Sequence, residues 1–231
     1  MDSTAMTVLG QMFYDPGKGF DAIGRRPMPW LPLLALTVLT AGVLYWYFQT
    51  VDFGWLLAHM AASTPDMKPE QREAMRKVMS PATMTWLSVG GTLVATPLLM
   101  SIYAVYYLIA AKLMGSPIAY GKWFAFSIWV SVPHLLTLPL MAVQILTSHG
   151  QLGFEALNMV SLNELLFHLP ASSPWNGLLT RFDLSEFWVM ALSIIGLRAW
   201  TGRSALLCTF AALLPFAVFY GLWALKIALF A

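Results

Sequence analysis

Apolar residues run in five long blocks, at residues 30–49, 86–111, 123–147, 184–200 and 205–230, separated by short polar links or by two longer mixed connections. A bilayer core about 30 Å thick takes about 20 apolar helical residues to cross, so each block predicts a transmembrane helix. The second and third blocks are joined only by residues 112–122, too short for a domain, which forces an antiparallel pair with Lys112 and Lys122 at one membrane face. Trp30 sits at one rim of the first block and Tyr45, Trp46 and Tyr47 at the other, as aromatic belts require. Prolines fall inside the later blocks: Pro97 predicts a kink in the second helix, Pro133 and Pro139 free backbone carbonyls in the third, and Pro215 lies in the fifth.

The polar connections carry weaker patterns. In the outer loop 50–83, residues 66–79 predict a short amphipathic helix with Asp66 as N-cap, Glu70 and Glu73 early, Arg76 and Lys77 late, and Met75, Val78 and Met79 on one side. In the outer loop 148–183, residues 151–169 repeat apolar positions at Phe154, Leu157, Val160, Leu165 and Phe167, which suits a second amphipathic helix. Residues 1–29 read as a cytoplasmic or interfacial tail ahead of a membrane domain at 30–231. Phe13, Phe20 and Ile23 share one face of a short helix broken at Pro16 and Gly17, and a partly ordered tail held by Arg25 and Arg26 is the competing reading. The N-terminal stretch lacks the apolar core of a cleavable signal peptide, so the first helix is expected to direct insertion.

Composition agrees with this membrane reading. The chain has 231 residues, of which 58% are hydrophobic and 10% charged, with a mean hydropathy of +0.67. That is far from the make-up of a soluble domain. A net charge of +2 with no basic patch gives no nucleic-acid footprint, and the single cysteine, Cys208, rules out an intramolecular disulfide. Five crossings put Lys18, Arg25, Arg26, Lys112, Lys122, Arg198 and Arg203 on one side, and Lys68, Arg72, Arg76, Lys77, Arg181 and Lys226 on the other. Four of the latter belong to the charge-balanced 66–79 segment. Setting them aside, the positive-inside rule favours a cytoplasmic N-terminus and an outside C-terminus.

Within the second block Ser88, Thr92 and Thr96 recur every fourth residue beside Gly91 and Ala95, a small-residue stripe that reads as a helix-packing seam. His134, next to Pro133, is the candidate buried polar group: a titratable side chain at mid-membrane is a functional hypothesis by default, although a bond to a freed carbonyl also accounts for it. Ser88 with His134 would suggest a serine hydrolase only if the two met at hydrogen-bond distance, and helix packing explains that serine more cheaply. His59, His149, His168, Asp52, Asp66, Glu155, Glu164 and Glu186 lie in or beside the outer loops, but none of the usual histidine ligand spacings occurs, so no metal site is expected. There is no P-loop or dinucleotide fingerprint, and no cofactor is expected. Arg198 and Arg203 read as a positive anchor on a cytoplasmic turn, with anionic lipid or an acidic partner as the alternative.

The arrangement resembles the Yip1 family of five-span membrane proteins in its short bacterial form. The segment Tyr14-Asp15-Pro16-Gly17-Lys18-Gly19-Phe20-Asp21-Ala22-Ile23, followed by Arg26-Pro27, is similar to the family's pre-span motif and proline-rich approach to the first helix. Lys112-Leu113-Met114-Gly115, Tyr120-Gly121-Lys122 and Ser131-Val132-Pro133 resemble its small-residue turn and mid-span proline. Phe182-Asp183-Leu184, Gly196-Leu197-Arg198 and Gly202-Arg203-Ser204 resemble its fourth-helix region. The resemblance implies a polytopic protein of the bacterial inner membrane with no catalytic residues to transfer, and with the patterns above the expected fold is all-α, five spans with kinked central helices and two amphipathic loop helices. The resemblance also implies a non-enzymatic scaffold or accessory subunit that contacts the bilayer and other membrane proteins, ABC-type export subunits among them, or a further copy of itself. A small transporter or lipid-handling protein built around His134 is the rival expectation. The positions to test are His134, Pro133, Ser88, Thr92, Arg198 and Arg203.

Overall fold

The computed structural model describes residues 4–64 and 67–230 and is helical throughout, with one antiparallel bridge between Ser161 and Asp183 as the only β pairing among the described residues. In chain order the α-helices are α1 (Ala5–Tyr14), α2 (Pro16–Arg25), α3 (Trp30–Leu34), α4 (Thr40–Thr50), α5 (Phe53–Ala62), α6 (Pro69–Val78), α7 (Pro81–Leu113), α8 (Tyr120–Val130), α9 (Thr137–Thr147), α10 (Asn176–Arg181), α11 (Leu184–Thr201) and α12 (Ala205–Phe230). Among the described residues, four helical segments are long and apolar enough to cross a membrane: Trp30–Thr50, Pro81–Leu113, Tyr120–Thr147 and Ala205–Phe230. The block expected as the fourth of five crossings is α11. It is 18 residues long, carries Glu186 and Arg198 in its end turns, and is not among the four.

α7 runs unbroken through Pro97, whose carbonyl accepts the Ser101 hydroxyl at 2.8 Å. The third segment is interrupted instead. α8 ends at Val130, a 3₁₀ stretch covers Val132–Leu136 around Pro133, and α9 resumes at Thr137. A wider π turn at Ala35–Leu39 links α3 to α4.

Two compact units divide the chain, one comprising Met1–Thr37, Val94–Leu135 and Ser185–Gly221, the other Val38–Leu93, Leu136–Leu184 and Leu222–Ala231. In the first unit, residues 5–25 are two capped helices. Thr4 caps α1; Asp15 ends α1 and caps α2, with Pro16 at the tolerated first position. The Lys18 ammonium, bonded to Asp15 Oδ2 at 2.6 Å, holds that carboxyl below its usual range, and Asp15 raises Lys18 in return. Val8 and Met12 from α1 and Phe20 and Ile23 from α2 are fully buried in the same core as Tyr107, Trp123, Phe126, Trp129, Leu192 and Leu197. Three indoles fasten this N-terminal segment: Trp188 Nε1 donates to Met12 O at 3.3 Å, Trp200 Nε1 to Phe20 O at 2.9 Å, and Trp129 Nε1 to Met28 O at 3.2 Å. Gly196 makes the fit possible, because a Cβ there would lie 2.5 Å from Phe126 Cε2 and 2.6 Å from Phe20 Cε1.

The second unit packs Tyr47 and Phe48 of α4, Leu56 of α5 and Ile145 of α9 around Leu152 and Leu157. The Tyr47 hydroxyl donates to Leu152 O at 2.7 Å. α6 has no buried residue, and its predicted N-cap, Asp66, lies outside the described residues. The amphipathic helix expected over 151–169 does not form. Residues there make a 3₁₀ turn at Phe154–Leu157 and a π turn at Asn163–Phe167. The buried Asn163 side chain brackets Leu169, accepting its N–H at 3.0 Å and donating to its carbonyl at 3.2 Å, while Asn158 Nδ2 donates to Asp183 Oδ2 at 2.7 Å. Such side-chain bonds offer the backbone an alternative to helix, and His168 turns the chain with a positive φ of 51°.

Candidate functional site

The first unit gathers its polar side chains where the 3₁₀ stretch meets the start of α11. Pro133 cannot donate, and the helix tightens into bonds such as His134 N–H to Ser131 O at 3.1 Å. This turns the half-buried His134 toward α11, where Nδ1 lies 2.7 Å from Ser185 Oγ. Ser185 and the adjacent Glu186 are only 8% and 7% exposed, and Glu186 sits in the first turn of α11, where the helix dipole favours negative charge. The Tyr220 hydroxyl lies 3.4 Å from Glu186 Oε1. Two turns along α11, the buried Ser193 receives a bond from Tyr107 Oη at 3.2 Å and donates to Val189 O at 2.8 Å. An imidazole paired with an alcohol and a phenol paired with a carboxyl group thus stand at adjacent positions of α11, His134 and Tyr220 half-buried against the buried Ser185 and Glu186, groups able to pass a proton or to grip a polar ligand.

In the second unit, His59 Nε2 donates to Glu155 Oε1 at 2.5 Å, and the Trp55 ring stacks on His59 with 4.8 Å between centroids. Both partners are about a quarter to a third exposed. This pair ties the apolar α5 to the 154–157 turn. Asp52 caps α5 through Trp55 N–H at 3.0 Å. Among the described residues, no group of three or more histidine, cysteine, aspartate or glutamate side chains is placed to hold a metal ion.

Of the positions singled out by sequence, Pro133 is buried and His134 half-buried in the first unit, whereas Ser88 and Thr92 belong to the second unit. Ser88 and Thr92 bond along their own helix, Thr92 Oγ1 donating to Ser88 O at 2.8 Å. The serine beside His134 is Ser185. Along the expected packing seam a Cβ added to Gly90 or Gly91 would meet nothing within 4 Å, so no neighbour among the described residues approaches there. Arg198 and Arg203 are exposed, the latter lying against Gly115. Sequence reasoning missed Ser185 and Tyr220, and named Glu186 only among the outer-loop carboxylates. A signal was present: Ser185, Val189, Ser193 and Gly196 recur at helical spacing, which places the serines on the buried face of α11.

Comparison with curated proteins and with solved structures returns no match. The family model for the Yip1 domain matches residues 10–225, and with nearly its whole length so covered the chain belongs to the Yip1 domain family of membrane proteins.

Proposed function

We propose that this protein is a non-enzymatic scaffold or accessory subunit of the bacterial inner membrane, binding other membrane proteins through α7 and α12, with an ABC-type export system as the partner to test. In this reading α11 completes a five-span bundle with its N-terminus in the cytoplasm, and residues 1–29 lie at the interface. The exposure of α7 carries the argument. Only 11% of its most apolar stretch is buried, and 22% of that of α12, against 50% for Tyr120–Thr147. Gly90 and Gly91 leave room on α7 for a second helix backbone, the kind of surface that membrane helices use to associate. The test is purification of the tagged chain from native membranes in mild detergent, with mass spectrometry of stoichiometric companions. Recovery of a transporter ATPase or permease, lost in Gly90→Leu/Gly91→Leu, supports the reading; recovery of the chain alone refutes it.

The His134–Ser185 and Glu186–Tyr220 pairs favour a second reading, a small transporter or lipid-handling protein. A bound lipid or solute that copurifies with the wild type and is lost in His134→Ala would shift the assignment to it.

A further inference from the structure

Three turns of the first unit meet at one end of it. The last turn of α2 lies on the last turn of α11: a Cβ on Gly24 would be 3.1 Å from Trp200 Nε1, the atom that donates to Phe20 O. The link between α7 and α8 lies on the link between α11 and α12. There Ser116 Oγ donates to Thr201 O at 3.4 Å, and the Arg203 guanidinium covers Gly115 so closely that a Cβ would be 2.7 Å from its nitrogen. Gly115 also has φ +75°, so its lack of a side chain serves both the turn and the arginine.

These turns carry six exposed cations, Arg25, Arg26, Lys112, Lys122, Arg198 and Arg203. None of these six is in the ion pairs Lys18 with Asp15, His59 with Glu155 or Lys77 with Glu73. The carboxylates on α2 and the two links are Asp15, already engaged by Lys18, and the exposed Asp21; the carboxylate of α11, Glu186, lies in its first turn, at the opposite end of that helix from Arg198. Six cations against one available carboxylate leave a surface that repels itself until an anion arrives. Leu113 and Leu206, 85% and 82% exposed, stand in the same turns. All of this lies where the apolar helices Pro81–Leu113, Tyr120–Thr147 and Ala205–Phe230 begin or end, the level at which headgroups sit.

We propose that this basic end of the first unit is a binding surface for anionic phospholipid, with Arg203, held over Gly115, as its phosphate ligand. Arginine matches a phosphate with two parallel donors, and the neighbouring cations add long-range attraction. Leu113 and Leu206 meet the start of the acyl chains. The surface exists whether or not α7 engages a protein partner.

The test uses the full-length protein in phosphatidylcholine nanodiscs, titrated with phosphatidylglycerol and read by native mass spectrometry and thermal unfolding. Phosphatidylglycerol is expected to be retained and to raise the unfolding temperature, and extra phosphatidylcholine or inorganic phosphate to do neither. Arg198→Gln/Arg203→Gln should weaken retention about 30-fold, from about 1 kcal/mol for each cation near an anionic surface. Gly115→Ala, which keeps every charge but displaces Arg203, should weaken it as well. Should either variant fail to fold, Lys112→Gln/Lys122→Gln at exposed positions reads the same loss. Equal retention of the two lipids, an equal response to free phosphate, undiminished retention in the variants, or displacement of the lipid by polyglutamate at equal charge would each overturn the proposal, the last in favour of an acidic protein.

Discussion

Replacing Gly196 by alanine adds one methyl group at the most crowded point of the first unit. Its carbon would fall 2.5 Å from Phe126 Cε2 and 2.6 and 2.7 Å from two atoms of the Phe20 ring. Both rings are fully buried, packed on each other at a tilt of 33° with 5.4 Å between centroids, and wedged by Trp200 at 6.4 and 5.2 Å, so neither has space into which to retreat. Alanine gains about 1 kcal/mol over glycine in a helix interior. Overpacking a filled core costs about 1–3 kcal/mol, and three sub-contact approaches to rigid rings place this site at or above the upper end. The net is a loss of about 2 kcal/mol, or an unfolding temperature lower by about 4–8 °C for a chain of this size. Gly221→Ala is the control: the same methyl on α12 meets nothing within 4 Å, so it should raise the transition by about 2–4 °C through the helix propensity alone. Thermal unfolding in detergent, followed by intrinsic fluorescence, reports both directly, since Trp123 and Trp200 lie in the affected cluster. If Gly196→Ala matches or exceeds Gly221→Ala, the docking of α2 against α11 is wrong.

Tyr47→Phe should cost about 1–3 kcal/mol, because Leu152 O stays buried without its donor; denaturant unfolding of the purified protein measures it. Trp200→Phe removes the donor to Phe20 O and should loosen α1 and α2 first, seen as faster amide exchange over residues 5–25 with that of residues 40–60 unchanged. Asn163→Ala should open the 163–176 loop to limited proteolysis, since it leaves the Leu169 N–H without its acceptor and the Leu169 carbonyl held by Asn176 alone. Asp15 has its folded pKa lowered and Lys18 has its raised, so the pair's contribution is present at neutral pH, fades as pH falls through the lowered Asp15 value, and fades again as pH rises through the raised Lys18 value. A pH series of exchange at the α1–α2 junction should show this plateau in the wild type and not in Asp15→Asn.

What could be read in advance tracks how local the cause is. The long helices follow from runs such as 205–230, in which nearly every residue is apolar and no context can change the outcome. α5 is apolar over only ten residues, Phe53–Ala62, half the length that a crossing needs, and the charges of Pro69–Val78 make the 50–83 loop polar as a whole. The 151–169 stretch has a helix-like period, but Asn163 and Asn158 spend their amides on Leu169 and Asp183, contacts that no periodicity encodes. The burial of Phe20 and Ile23 depends on Gly196, more than 170 residues later in the chain, so their apolar face could be seen while its destination could not. At the candidate site His134 was evident from its type and depth, yet Ser185 rather than Ser88 faces it, because the 3₁₀ turn at Pro133 decides where the imidazole points.

The indole bonds to the N-terminal segment span 176 residues from Trp188 to Met12 and 180 from Trp200 to Phe20. At about 5–20 residues per second of synthesis, α1 and α2 emerge about 10–40 s before these two α11 indoles exist. Until Tyr107, Trp123, Phe126 and Trp129 are made, Val8, Met12, Phe20 and Ile23 form an unsheltered greasy edge at the ribosome exit. Residues 5–25 are therefore secured by α11 long after they are made, and the apolar neighbour available to them meanwhile is the membrane surface itself.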